Sequence, residues 1–206
     1  MSTTLTRSRG TAHWRTVDLV TAAVLGVAFG VVFWGWDVLY LAVEPLFAAL
    51  PPLKGLVAGV WLLPAVVAAL VIRRPGAALL AEMVAATVEA LLGNYWGITT
   101  LVSGTIQGVG VEIAVALFAW RRFGPPVAVL GGILAGVLEG LFEQFYRYDG
   151  TWDLGWRLFY VGTFAVSGAV VAGLGGWLLV RGLARSGALG AFAAGREHHG
   201  RARDRG

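Results

Sequence analysis

The stretch Gly76–Gly97, GAALLAEMVAATVEALLGNYWG, is an apolar run that carries two carboxylates and ends in a polar-aromatic cluster. It reads as one helix. Glu82 and Glu89, seven residues apart, then project from the same face, about two turns from each other. An ionisable side chain at membrane depth is costly, so it turns to a bundle interior or a cavity and marks function. Asn94, Tyr95 and Trp96 follow between Gly93 and Gly97, in a turn where amide and aromatic groups can meet a ligand.

Composition identifies the solvent of that helix. Of 206 residues, 57% are hydrophobic and 14% charged. A soluble domain carries about 25% charged residues. Mean hydropathy is +0.73, and surface this apolar requires lipid around it. The expected class is one all-α, polytopic membrane domain. The absence of cysteine excludes disulfides, thiolate catalysis and cysteine metal sites. The net charge of +4, from 15 Arg and a single lysine, Lys54, reads as membrane anchoring and not as nucleic-acid binding. No cleavable signal peptide is expected, because the first apolar run is long and no small-residue cleavage site follows it.

Working outward from Gly76–Gly97, apolar runs predict six spans at about 17–36, 56–72, 76–93, 101–120, 127–145 and 158–180. An arm of residues 1–16 precedes them, and a basic tail, 181–206, reads as disordered. Asp37–Gly55, apolar yet broken by Pro45, Pro51 and Pro52, reads as a re-entrant or interfacial cap. Arg73-Arg74-Pro75-Gly76 and Arg121-Arg122-Phe123-Gly124 read as tight basic turns. With both termini cytoplasmic, thirteen arginines lie inside, and only Lys54, Arg147 and Arg157 lie outside. In the first span, Ala22, Gly26 and Gly30 form a small-residue stripe for a close helix neighbour, either within the bundle or on a partner.

The spans hold five glutamates, Glu82, Glu89, Glu112, Glu139 and Glu143, and no Lys, Arg or His. Each must be protonated, hydrogen-bonded, wetted by a cavity or matched by a cation from outside. At about 1.5 Å per residue, Glu89, Gln107, Glu139 and Glu143 fall in the outer half, beside Asn94, Tyr95, Trp96 and Tyr146. These are read as a ligand cavity open to the outside. The deeper Glu82 and Glu112 read as helix-to-helix hydrogen bonds, and Trp152, Asp153 and Trp156 as loop anchors. Carboxylates with aromatic faces suit a small ligand bearing amino groups or a positive charge. No phosphate-binding GxxxxGK[ST] loop exists, so this chain does not hydrolyse ATP. No nucleophile pair and no span histidine point to an enzyme or a haem protein.

Six spans in about 200 residues, a capping first loop and an external acidic-aromatic pocket resemble the substrate-binding (S) components of energy-coupling factor transporters. More narrowly, EALLGNYWG (Glu89–Gly97), QGxGxE (Gln107–Glu112) and ExxxEQ (Glu139–Gln144) look like the YkoE-type family, across roughly Thr16–Val180. That resemblance implies thiamine or its hydroxymethylpyrimidine precursor as substrate, with no cofactor and no metal. It also implies a bacterial plasma-membrane location, a transmembrane coupling subunit and two cytoplasmic ATPases. Within it, Glu89 and Glu139 take the ligand's N–H groups or charge, and Asn94 and Gln107 add hydrogen bonds. Tyr95, Trp96 and Tyr146 stack, and Glu143 is a second carboxylate at the mouth. Ala22, Ala23, Gly26 and Gly30 would dock the coupling subunit. Two readings from other classes are a stand-alone proton-coupled carrier, with Glu82 or Glu89 as proton site, and a non-transporting scaffold.

Overall fold

The structure, a computed structural model, describes residues 13–146 and 152–197, without the side chains of Phe145 and Tyr146. Among these residues, seven α-helices make the bundle: α1 (Thr16–Val43), α2 (Leu63–Ile72), α3 (Ala77–Leu91), α4 (Thr99–Leu117), α5 (Pro125–Tyr146), α6 (Leu154–Ser167) and α7 (Gly176–Arg185). Short 3-10 helices, Glu44–Phe47 and Pro51–Val60, connect α1 to α2, and a π-helical stretch, Gly168–Gly175, joins α6 to α7. No strand occurs among the described residues.

Among the described residues, five helical runs are long and apolar enough to cross a membrane: Thr16–Phe47, Pro51–Ile72, Thr99–Leu117, Pro125–Gln144 and Leu154–Arg185. The run expected over 76–93 is the fifteen-residue α3, shorter than the roughly 20 residues a full crossing uses. It sits inside the bundle, between α1 and α4 and against α2. Alanines on its buried face allow the close approach: Ala77, Ala78, Ala81, Ala85 and Ala86 are all buried.

Helix α2 is the spindle. Every residue from Pro64 to Ile72 is buried, which explains a sequence apolar on all sides. The expected unbroken span 56–72 is in fact two pieces. A 3-10 run ends with Trp61 N donating to Ala58 O (3.1 Å) and Leu62 N to Gly59 O (3.3 Å), and α2 starts afresh at Leu63. Pro64, in the first turn of α2, has no N–H to leave unsatisfied there. The 3-10 run lies against α6, whose hydroxyls serve its backbone. Ser167 Oγ accepts from Gly59 N (2.9 Å) and donates to Leu56 O (2.6 Å), and Thr163 Oγ1 donates to Pro52 O (2.7 Å). Such partners let irregular backbone persist at membrane depth.

Three further expectations need correction. Helix α1 runs on to Val43, so Asp37, expected in an external loop, is a buried helical residue. The stripe Ala22, Gly26 and Gly30, expected as part of a partner-docking face, is already occupied. A Cβ on Gly26 would lie 2.5 Å from Val84 Cβ, and one on Gly30 would lie 2.6 Å from Val88 Cβ, both on α3. Only Ala23 of that set stays exposed, on the face with Val20, Val24 and Val27. Finally, residues 181–197 are ordered: α7 reaches Arg185, Leu189 and Phe192 are buried in the core, and Glu197 pairs with Arg73 at 2.5 and 2.9 Å. His198 and His199, with the rest of the tail, lie outside the described residues.

Basic segments gather at one end. Trp14 Nε1 donates to Pro75 O (3.2 Å), and buried Asp18 meets Arg15 at 2.7 Å and Arg74 at 3.6 Å. Arg73 sits over the Phe123 ring at 4.9 Å. The tight turn expected at 73–76 is present, with Arg73 (φ 58°) and Gly76 (φ 84°) left-handed. Deep in the bundle α5 crosses the π-helical stretch at backbone contact, where a Cβ on Gly132 would stand 2.0 Å from Gly168 O. Gly132→Ala is therefore expected to destabilise the fold by about 1–3 kcal/mol or more, read as a lower thermal midpoint in detergent. Gly182→Ala, with nothing within 4 Å of the added Cβ, should leave that midpoint unchanged or raise it slightly.

Candidate functional site

The break before α2 leaves backbone groups that two neighbouring helices satisfy. Ala65 N, in the first turn of α2, donates to Glu82 Oε2 of α3 at 2.9 Å. The amide end of Gln107 of α4 lies against two acceptors, so its nitrogen is assigned to that side, donating to Trp61 O at 2.9 Å and Glu82 Oε1 at 3.1 Å. A carboxyl oxygen at a helix N-terminus serves an N–H that has no partner within its own helix. Glu112 does the same for α3, accepting from Ala78 N at 2.9 Å. Both deep glutamates thus make the helix-to-helix hydrogen bonds expected of them, and Glu82 also shows one surface to the cavity.

Fixed in this way, Trp61 anchors an aromatic wall. Its Nε1 donates to Asp37 Oδ1 at 3.0 Å. Its ring meets Trp36 (6.3 Å), Tyr40 (5.5 Å) and Trp96 (5.5 Å) edge-on. Trp96 is held by the turn after α3. There Asn94 Oδ1 accepts from Gly97 N (2.6 Å), Asn94 Nδ2 donates to Thr100 Oγ1, and Thr99 Oγ1 donates to Trp96 O (2.9 Å). Asn94 also reaches the Glu89 carboxyl. The opposite wall comes from α5 and α6, with Glu139, Glu143, Tyr160 and Phe164. Tyr160 OH donates to Glu143 Oε2, and the Trp152 ring packs on Tyr160 at 5.4 Å.

These walls enclose a cavity of about 260 Å³, at the end of the bundle opposite the arginine turns. Its mouth is framed by Glu44 and Lys54, joined at 2.6 Å. Lys54 is the one basic residue among the lining side chains described, against five carboxyls: Glu44, Glu82, Glu89, Glu139 and Glu143. Glu82, Glu89 and Glu139 are each 3% exposed or less. Volume and lining fit a small organic ligand that brings positive charge or N–H donors, with flat rings against the aromatic wall. Among the described residues, no three His, Cys, Asp or Glu side chains come together to hold a metal ion.

Of the expected ligand residues, Glu89, Tyr95, Trp96, Gln107, Glu139 and Glu143 line this cavity. Tyr95 stands at the mouth, 72% exposed. Asn94 braces the turn and does not line the cavity, and the Tyr146 side chain lies outside the described residues. Sequence reasoning missed Trp61, Tyr40, Lys54, Tyr160 and Asp37. A signal existed for Tyr160, which shares one helical face with Thr163, Phe164 and Ser167, all buried. Asp153 is an anchor as expected: its Oδ1 accepts from Trp156 N at 2.9 Å and caps α6.

Known proteins share this architecture. Residues 17–138 match the family described as "ABC-type cobalt transport system, permease component". The chain is 32% identical over 189 residues to the "Putative HMP/thiamine permease protein YkoE" of Bacillus subtilis (strain 168), covering 89% of this chain and 92% of that one. It superimposes on a solved structure described as an S-component of an ECF transporter, with TM-score 0.87 and 31% identity over 94% of this chain and 99% of the other.

Glu82→Ala removes the acceptor that Ala65 N–H and the Gln107 amide share. It should destabilise the protein by about 1–3 kcal/mol, measured as thermal unfolding in detergent. The fluorescence of the Trp61 wall should shift with it.

Proposed function

Because the chain belongs to the YkoE family of energy-coupling factor S components, we propose that it captures thiamine or its hydroxymethylpyrimidine precursor from the external side for import. It is a multi-pass protein of the bacterial plasma membrane and a transport component. The observation that carries the substrate reading is the cavity of buried carboxyls facing an aromatic wall, at the end remote from the arginines. A thiazolium is a delocalised cation that suits Trp96 and Tyr40 faces beside Glu89. An aminopyrimidine presents N–H donors to Glu139 or Glu143 and ring nitrogens to the Ser103 or Thr100 hydroxyl hydrogens. The preponderance of arginine at the opposite end supports a cytoplasmic placement of that end, and so an outward-facing mouth.

Energy must come from elsewhere, since no nucleotide-binding loop exists in this chain. In this reading a transmembrane coupling subunit and two cytoplasmic ATPases reorient the loaded domain and release the vitamin inside. With the Ala22–Gly30 stripe consumed by α3, the coupling subunit would meet the exposed face of α1 that includes Ala23.

Titration of the purified chain in detergent, followed by tryptophan quenching, tests the binding step. Thiamine or hydroxymethylpyrimidine should quench saturably, and Glu89→Gln should weaken thiamine binding by about tenfold or more, the loss of one charged contact. No quenching by either compound would end the proposal. In liposomes the chain alone should give no concentrative uptake. Uptake driven by a pH gradient would mark the stand-alone carrier instead.

A further inference from the structure

Asp37 has a place in the site that neither motif nor span boundary indicates. It is 3% exposed, one turn before Tyr40 on α1. One oxygen, Oδ1, accepts from Trp61 Nε1 at 3.0 Å. Its carboxyl also lies at hydrogen-bonding distance from that of Glu89 on α3. Yet Oδ2 finds no donor among the described residues. Here an acceptor faces an acceptor, both buried, since Glu89 is 2% exposed.

Two carboxyl groups in contact repel when both are bare. A hydrogen between them, or a cation, holds them together. The surrounding elements offer no cation for that role. Glu44 holds Lys54, and no arginine or histidine lines the cavity among the described residues. The other groups that face the pair or line the same cavity are acidic or neutral: Glu82 on α3, Asn94 and Tyr95 after it, Gln107 on α4, Glu139 and Glu143 on α5, and Tyr160 on α6. A hydrogen is therefore what the contact calls for, and Glu89, the member that lines the cavity, is where a ligand's charge would compete with it.

We propose that Asp37 and Glu89 share one proton until a cationic ligand enters, and that the ligand's charge displaces this proton to the external solution. Asp37 is then a positioning residue. It acts through Glu89 and through the Trp61 ring and touches no ligand itself. The exchange keeps the charge of the buried site constant on loading, so a permanent cation binds without adding net charge to the membrane interior. A neutral ligand has nothing to exchange. This inference rests on the vitamin-binding reading above and adds to it a distinction between charged and uncharged ligands.

Isothermal calorimetry of the full chain in detergent, at one pH in buffers of differing ionisation enthalpy, tests it. Thiamine should release about one proton per molecule bound, and Asp37→Asn should cut that to less than about half. Neutral hydroxymethylpyrimidine should release none. Thiamine heats that ignore the buffer would overturn the exchange while leaving vitamin binding intact, as would undiminished release from Asp37→Asn or equal release by the neutral compound. Failure of thiamine to bind at all would remove the function and the exchange together. Should Asp37→Asn not fold, the wild-type thiamine titration decides alone.

Discussion

The N–H of Ala65 resting on the carboxylate of Glu82 is the contact on which the site depends. A helix begun in mid-bundle exposes amide groups to a medium without water, and each unsatisfied group there carries a penalty of several kcal/mol. Glu82 answers one of them, and Gln107 ties that same carboxylate to the carbonyl of Trp61. With the break secured, the 3-10 run gives way to α2 around Trp61, and that ring meets Tyr40 and Trp96. The cavity lies beside this break, lined by Ala58 and Trp61 from it and by residues of α3, α4 and α5.

Buried glutamates in this protein therefore divide by what they face. Glu82 and Glu112 face helix beginnings and accept free backbone N–H groups there. Glu89, Glu139 and Glu143 face the cavity, with amide, hydroxyl or carboxyl neighbours. The first kind belongs to the scaffold, and the second is chemistry that a ligand can complete. Residue type is the same in both. Depth and the identity of the nearest backbone separate them.

Much of this was legible beforehand, for physical reasons. Glu82 and Glu89 on one helical face, the Asn94–Trp96 turn and the arginine-rich connections follow from periodicity and charge alone. What escaped depended on tertiary context. Asp37 looked like the start of a loop, because an acid after Trp36 usually marks a membrane boundary, whereas α1 continues and buries it. Trp61 was visible as a residue but not as a wall, because its orientation is set by a break that Pro64 hints at without locating. The Ala22–Gly30 stripe was read correctly as a close-contact surface. Its partner is α3, and spacing alone cannot tell an internal neighbour from an external one. Residues 186–197 have the composition of a tail, yet Leu189 and Phe192 find room in the core and Arg73 holds Glu197.

The enclosure of α2 has a further consequence. Val166 and Val170, exposed along the last membrane run, point out of the bundle, where fluid acyl chains refill any shape offered to them. Val66, Val67 and Val71 on α2 abut fixed side chains on every side, where a missing methyl leaves a hole and an extra one a collision. The same amino acid thus answers to a liquid in one helix and to a solid in the other. Two segments that a hydropathy plot cannot tell apart should drift at very different speeds over evolutionary time.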